Sequence, residues 1–489
     1  MILALLIILP LAAGPLAWLT GRWSRSAPRW ISLAAMALDL ALAVALWIHG
    51  PMETSWGWIP QLGIGFTLSL DGLSILMVAL TAFLGVIAVA ASWKEIKDRV
   101  GFFHFNLMWT LAGITGVFLA SDLLLFYFFW ELMLVPMYFL FLWGQEKRSA
   151  AGMKFLIYTQ SSGLLMLLAI LVLYFMHAGA TGVYTFDYAA LLQTPAAGPA
   201  ANMLMFGFFI AFAVKMGVPP FHGWLPDAYT HAPTAGTLLL AGLMAKTGAY
   251  GLLRFVLPLF PEQALQFAPM GMALGAAAIL YGGLMAFSQT DLKRMVAYTS
   301  ISHMGFVLLG IFAPTAQSQQ GAVILMLGHG AATGALFVMA GALQERLGTR
   351  ELGRMGGLWE TAPRMGGTML FLALALMGLP GTANFIGEFL VLVGAWRTSI
   401  PLATVAALGM ILSVIYALWM IQRVFQGPNR ENWKFPDFSL RETVAAAAMI
   451  GVVLWIGLYP KPISTAAGPV LDRTMPRADL SAQDEGGEP

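Results

Sequence analysis

The run Ile210-Ala211-Phe212-Ala213-Val214-Lys215-Met216-Gly217-Val218-Pro219-Pro220-Phe221 sets one lysine in an otherwise apolar stretch and closes it with two prolines. A stretch of this composition is a membrane span, and proline inside it breaks the helix and frees backbone groups that need partners in protein or in a water-filled cavity. Leu376-Met377-Gly378-Leu379-Pro380-Gly381-Thr382-Ala383-Asn384-Phe385-Ile386-Gly387-Glu388 has the same character in the second half of the chain. Two broken spans in corresponding halves are the sequence mark of a transporter built from repeats.

Outward from these runs, composition places the whole chain. Its 489 residues are 59% hydrophobic and 10% charged, far below the roughly 25% charged of a soluble domain. Apolar runs recur at about 1 to 20, 29 to 49, 71 to 92, 102 to 121, 122 to 144, 152 to 178, 201 to 221, 233 to 257, 265 to 288, 295 to 313, 320 to 344, 366 to 397, 401 to 425 and 441 to 459. The expected fold is therefore an all-α polytopic membrane protein of fourteen transmembrane helices. The start, Met1 to Leu19, lacks a basic n-region and reads as a retained first helix. Pro51 to Leu70, with Trp56, Trp58 and Pro60, reads as an external loop with short extended structure and interfacial Trp anchors.

Loop charge orients the spans. Of the 26 Lys and Arg, 19 fall in loops after odd-numbered spans and only Arg254 and Arg397 in loops after even-numbered ones. The positive-inside rule then puts odd loops in the cytoplasm and both termini outside. The breaks lie in spans seven and twelve, five apart, which fits a five-helix unit over spans four to eight repeated with inverted topology over nine to thirteen. The expected parts are an N-terminal three-helix segment with its external loop (1–100), two half-channel repeats (101–257 and 258–427), and a last helix with an external tail (428–489).

A net charge of +2 with dispersed basic residues gives no nucleic-acid-binding face. The absence of Cys removes thiolate ligands for iron–sulfur clusters and any disulfide framework.

Four ionisable residues stand alone in apolar spans: Glu131, Lys215, Lys246 and Glu388. Each costs about 2.5 to 3.5 kcal/mol at a helix centre by insertion scales, so such residues pair, meet water or carry ions. Lys215 lies one turn before the Pro219-Pro220 break, and Glu131 is the candidate counter-ion for Lys215 or Lys246. Static pairs that merely hold helices together are the alternative, but apolar side chains would do that at lower desolvation cost. His303 and His329, in the tenth and eleventh spans, could link Lys246 to Glu388 with Ser302 and Thr333, since free imidazole titrates near physiological pH; a packing histidine is the other reading. His222 and His231 read as loop hydrogen-bonding groups, Asp122 as a helix cap, and Asp39 as an isolated polar contact or a partner-facing charge. A haem held by His303 and His329 is a rival from another class, disfavoured because the two lie on different helices without a paired-ligand pattern.

Two longer motifs carry a resemblance. Val214 to Tyr229 with His231-Ala232-Pro233, and Ser288-Gln289-Thr290-Asp291-Leu292-Lys293-Arg294 leading to Ala297 through His303, resemble the antiporter-like subunits of respiratory complex I, over essentially the whole chain. Glu388 stands where the L-type and N-type members carry lysine, and the chain lacks the long lateral helix of the L-type, so it looks like the M-type. The resemblance implies proton translocation in a bacterial inner (plasma) membrane, with L-type and N-type subunits and the lipid bilayer as partners. It implies no cofactor in this chain, with FMN, iron–sulfur clusters and quinone in companion subunits. It makes Glu131 and Lys215 a switchable pair, Lys246 the central relay, His303 and His329 members of the polar axis, and Glu388 the terminal residue. A multisubunit cation/proton antiporter or a membrane-bound hydrogenase shares these features and stays open.

Overall fold

The computed structural model describes residues 2–194 and 197–474. It is mostly helical, and among the described residues thirteen helices, from Ile2–Thr20 to Leu440–Leu458, are long and apolar enough to cross a membrane. The expected twelfth span accounts for the difference from fourteen. It is two shorter helices, Pro363–Leu376 and Ala383–Thr398, parted where Gly378 (φ 82°) and Gly381 (φ 93°) flank Pro380. Both glycines sit in the left-handed region that side-chain-bearing residues avoid.

The seventh span ends in the same way. Gly198–Met216 stops at Gly217 (φ 71°), whose N–H closes the last turn onto Ala213 and Val214 oxygens at 3.0 and 3.1 Å. The carbonyl of Val214, exposed by the break, accepts the indole N–H of Trp224 at 2.8 Å. The short helix Leu225–His231 follows.

The loop after the second span is an antiparallel hairpin, Met52–Ile59 with Ile64–Leu70, with Trp56 and Trp58 partly exposed. The last transmembrane helix is followed by a helix over Lys461–Leu471. The expected tail from 475 onward, including Arg477, lies outside the described residues.

A backbone pattern recurs in the two halves. At the head of the fifth span Asp122 caps the helix with its carboxylate; Leu123 N–H donates to Phe186 O (2.9 Å) and Tyr188 N–H to Ser121 O (3.0 Å). At the head of the tenth Asp291 caps likewise; Leu292 N–H donates to Arg350 O (2.9 Å) and Leu352 N–H to Thr290 O (2.8 Å). Each bridge joins the start of one span to the segment that leads into a broken span.

Three spans are almost wholly enclosed by the rest of the chain: Thr234–Leu259 and Leu292–Phe312 over their entire apolar window, and Ala316–Leu347 over 94% of it. The first two spans and Leu440–Leu458 lie at the periphery, at 28 to 39%. Glycine permits the closest central contacts: a Cβ at Gly275 would stand 2.6 Å from Leu309 N and 2.8 Å from Gly305 O.

Candidate functional site

Lys246, His303 and His329 lie on those three enclosed spans, and all are at most 1% exposed. The helix bearing Lys246 is irregular around it, with one π-helical turn at Leu240–Met244 and another at Leu252–Val256. Such turns widen the helix and re-aim carbonyls. Lys246 Nζ uses one of them, donating to Ala241 O at 2.5 Å, and reaches His329 Nδ1 at 2.6 Å.

From His329 the line continues sideways. The rings of His329 and His303 are 5.5 Å apart between centroids. His303 Nδ1 is 2.8 Å from Glu388 Oε1, and its Nε2 is 3.2 Å from the hydroxyl of Tyr416. Glu388 sits in the second half of the broken span, with Oε2 toward Gly378, where a Cβ would come within 3.3 Å. Four elements far apart in sequence thus meet in one buried polar row: Lys246, His329, His303 and Glu388.

Several polar atoms along this row lack a protein hydrogen-bond partner: His329 Nε2, Thr333 Oγ1, both amide atoms of Asn384, and Glu388 Oε2. Most buried polar groups in folded proteins are satisfied. Their concentration here leaves donors and acceptors free to change partners, which a proton carrier requires. Ser302 is differently placed: its hydroxyl donates to Ile279 O at 2.9 Å, so it ties two spans together.

Lys215 and Glu131 are not in ion-pair contact. The ammonium of Lys215 is fully buried and has no hydrogen-bond partner; it lies over the face of Trp130 at 4.7 Å and near Phe155 at 5.8 Å. Glu131, one residue past Trp130 and so turned about 100° around the helix, is half-buried with Oε1 directed toward Gly163. An indole face attracts a cation electrostatically and here takes the place beside Lys215 expected for the carboxylate.

The remaining expectations sort as follows. Asp122 caps its helix and also accepts from Gly65 N–H at 3.0 Å. His222 Nε2 meets Tyr281 OH at 2.8 Å, while His231 gives its carbonyl to Gln145 N–H at 2.9 Å. Asp39 is 2% exposed with Oδ1 unpartnered, so it faces the interior of this chain. For the haem rival, both ring nitrogens of His303 are already engaged.

Sequence reasoning missed Tyr416, an aromatic in an ordinary apolar span whose partner lies 113 positions away. It also missed the ion pair of Asp71 with Arg254. At the other end of the bundle Asp227 joins Lys154 and Arg294, each at 2.7 Å. Burial alone would raise the Asp227 carboxyl, but the two cations more than offset this and hold it below its ordinary range.

Comparison with known proteins places this arrangement. The family described as "NADH:quinone oxidoreductase/Mrp antiporter, TM" matches residues 120–415. The chain is 49% identical over 485 residues to the NADH-quinone oxidoreductase subunit M of Escherichia coli K12, covering 95% of each. Its fold matches a chain of the respiratory complex I of Thermus thermophilus with a TM-score of 0.87 and 31% identity, over 97% of this chain and 100% of that one. It also matches one of the Mrp complex of Dietzia sp. with a TM-score of 0.86 at 23% identity, over 96% and 97%; that likeness is one of fold alone. The chain belongs to the NADH:quinone oxidoreductase/Mrp antiporter transmembrane family, on the branch of the NADH-quinone oxidoreductase M subunits.

Proposed function

We propose that this chain is a proton-translocating membrane-arm subunit of an NADH:quinone oxidoreductase, moving protons along the buried row Lys246–His329–His303–Glu388. The observation that carries this reading is the row itself: a lysine, two imidazoles and a carboxyl group within hydrogen-bond or ring-contact distance, buried in the apolar stretches of helices whose other charged residues lie toward their ends. Lysine, imidazole and carboxylate give a proton successive acceptors, and Tyr416 holds the second imidazole in place. Glu131 and Lys215 form the loading end. In the conformation described they are apart, and closing the pair would draw Lys215 from the Trp130 face toward the carboxylate.

In this reading the two helices of the broken twelfth span count together, which gives fourteen spans. Spans four to eight (101–257) and nine to thirteen (258–427) are inverted repeats, flanked by 1–100 and 428–489. The paired backbone bridges at Asp122 and Asp291 support the repeat. Loop charge puts the first of these at the outer face and the second at the cytoplasmic one, as inversion requires. The charges themselves do not repeat: Lys215 precedes its break and Glu388 follows its own.

The reaction that drives transfer belongs to companion subunits carrying FMN, iron–sulfur clusters and quinone, with N-type and L-type subunits beside this one in a bacterial inner membrane and both termini outside. Similarity at 49% to an M subunit favours this over a cation/proton antiporter or a membrane-bound hydrogenase. Lys246→Ala or Glu131→Ala in the assembled complex tests it. NADH-driven pumping falls while electron transfer from NADH to an artificial acceptor persists; undiminished pumping in both variants refutes the relay.

A further inference from the structure

A second feature lies at the periphery of the bundle, away from the relay. Where the second, third and last transmembrane helices meet, a cavity of about 460 Å³ is walled by apolar side chains, among them Leu40, Val44, Leu80, Phe83 and Val452. It runs alongside the second helix from Leu40 to Trp47, about 10 Å at 1.5 Å per residue. At its upper end Trp47 and Pro462 also line a second cavity, of about 570 Å³. The two therefore adjoin.

The second cavity is chemically different. It lies between the helix Lys461–Leu471, the end of the second span and the start of the third, and its mouth carries Lys461, Arg473 and Asp71. Asp71 is already engaged: its Oδ1 accepts from Leu73 and Ser74 N–H at 3.2 and 3.0 Å, and Oδ2 pairs with Arg254. Lys461 and Arg473 are exposed and, among the described residues, belong to no ion pair. The unbalanced charge at the mouth is positive.

Depth is marked by Trp47 and Trp455, which meet edge to face at 6.1 Å where the two cavities join. Tryptophans gather at the level of the headgroups. Helix Lys461–Leu471 fits that level: Ile463, Ala467 and Leu471 are buried toward the bundle while Lys461, Thr465 and Pro469 are exposed. An apolar slot below the tryptophans and a cationic chamber above them match the two parts of one amphiphile.

We propose that these adjoining cavities hold one anionic phospholipid, an acyl chain in the slot between Leu40 and Trp47 and its headgroup in the chamber lined by Lys461 and Arg473. A protein segment from a neighbouring subunit is the competing occupant, but it would have to bring both an anionic group and a narrow apolar chain. A zwitterionic lipid carries its own ammonium into a chamber that already has two cations.

The test uses the assembled complex reconstituted in vesicles with a phosphatidylglycerol bearing a diazirine on its acyl chain. After irradiation, adducts fall on residues 40–48, 76–83 and 452–456, and unlabelled phosphatidylglycerol suppresses them better than phosphatidylcholine does. Lys461→Gln with Arg473→Gln abolishes that preference, roughly fivefold for each cation, and Val44→Trp, which fills the slot, removes the adducts. If Val44→Trp fails to assemble, the charge variant alone decides. Equal suppression by both lipids, an unchanged preference in the charge variant, or adducts confined to other spans overturns the proposal. So does capture of a neighbouring subunit by a photoreactive residue at position 44.

Discussion

His303 Nδ1 stands 2.8 Å from Glu388 Oε1, with both side chains 1% exposed. The contact joins the tenth span to the far half of the broken twelfth. The glycine-flanked break, with Gly378 at φ 82° and Gly381 at φ 93°, lets the helix restart so that Glu388 faces inward. Glu388→Gln keeps the shape and one hydrogen bond but removes the carboxyl group. NADH-driven pumping then falls by roughly a hundredfold or more, the range of positioned acid–base groups, while NADH oxidation by an artificial acceptor is unchanged. Measuring both on the same preparation separates a relay defect from a failure of assembly.

Lys246 and His329 form the tightest contact of the row. Lys246→Met leaves the Ala241 carbonyl and His329 Nδ1 without their donor, a loss of about 1–3 kcal/mol for buried groups left unsatisfied. His329→Leu alone leaves Lys246 Nζ with the Ala241 carbonyl as its one remaining partner. The double variant is less destabilised than the sum of the singles, because neither partner then remains alone. Thermal unfolding of the assembled complex with the four-member cycle measures this coupling, and strict additivity would show that the contact carries none.

Tyr416→Phe removes the hydroxyl from His303 Nε2. That contact and the one to Glu388 together fix the plane of the His303 ring, whichever of its nitrogens carries the proton. Loss of one such bond costs about 0.5–1.5 kcal/mol. Pumping falls less than in Glu388→Gln, because the titrating groups stay and only their orientation loosens.

The spans and the charged members of the row were legible because a bilayer leaves little room for ambiguity. Twenty apolar residues need no partner to announce themselves, and Lys246 or Glu388 within them is conspicuous at once. The breaks were equally visible through Pro219-Pro220 and Pro380. What stayed hidden depends on rotation and on distant partners. Glu131 is the next residue after Trp130, and a helical step of about 100° decides which of them meets Lys215. Tyr416 has no local mark, since its role exists only once His303 is brought against it. The matching bridges at Asp122 and Asp291 use backbone groups, which every sequence possesses.

Gly275 and Gly305 set the spacing of the ninth and tenth spans, with a Cβ at Gly305 lying 2.7 Å from Ile279 N. Gly305→Val cannot be accommodated by a side-chain rotation, because backbone is what it meets. Overpacking of this kind costs about 1–3 kcal/mol or more. It also displaces His303, two residues earlier. Subunit content and Tm of the complex fall together, whereas the Glu388→Gln complex keeps both.

Asp227, outside the spans, offers a test of pH dependence. Burial would raise its carboxyl, but hydrogen bonds from Lys154 and Arg294 hold it below the ordinary range, which for a free aspartate centres near pH ~3.9. A depressed folded-state pKa stabilises the fold above the unfolded value, and that contribution is lost as pH falls through the folded one. Both partners are partly exposed, Lys154 at 41% and Arg294 at 35%, so each pair contributes at most about 1 kcal/mol. Asp227→Asn therefore lowers the Tm of the assembled complex at pH 7 and leaves a shrinking difference from the parent as the pH drops below about 4, where the unfolded chain's carboxyl takes up a proton before the folded one does. The same substitution at 1 M salt has less effect at pH 7, because screening weakens the exposed pairs first. A Tm difference that stays constant from pH 7 to pH 3 would instead assign the effect to lost packing around residue 227.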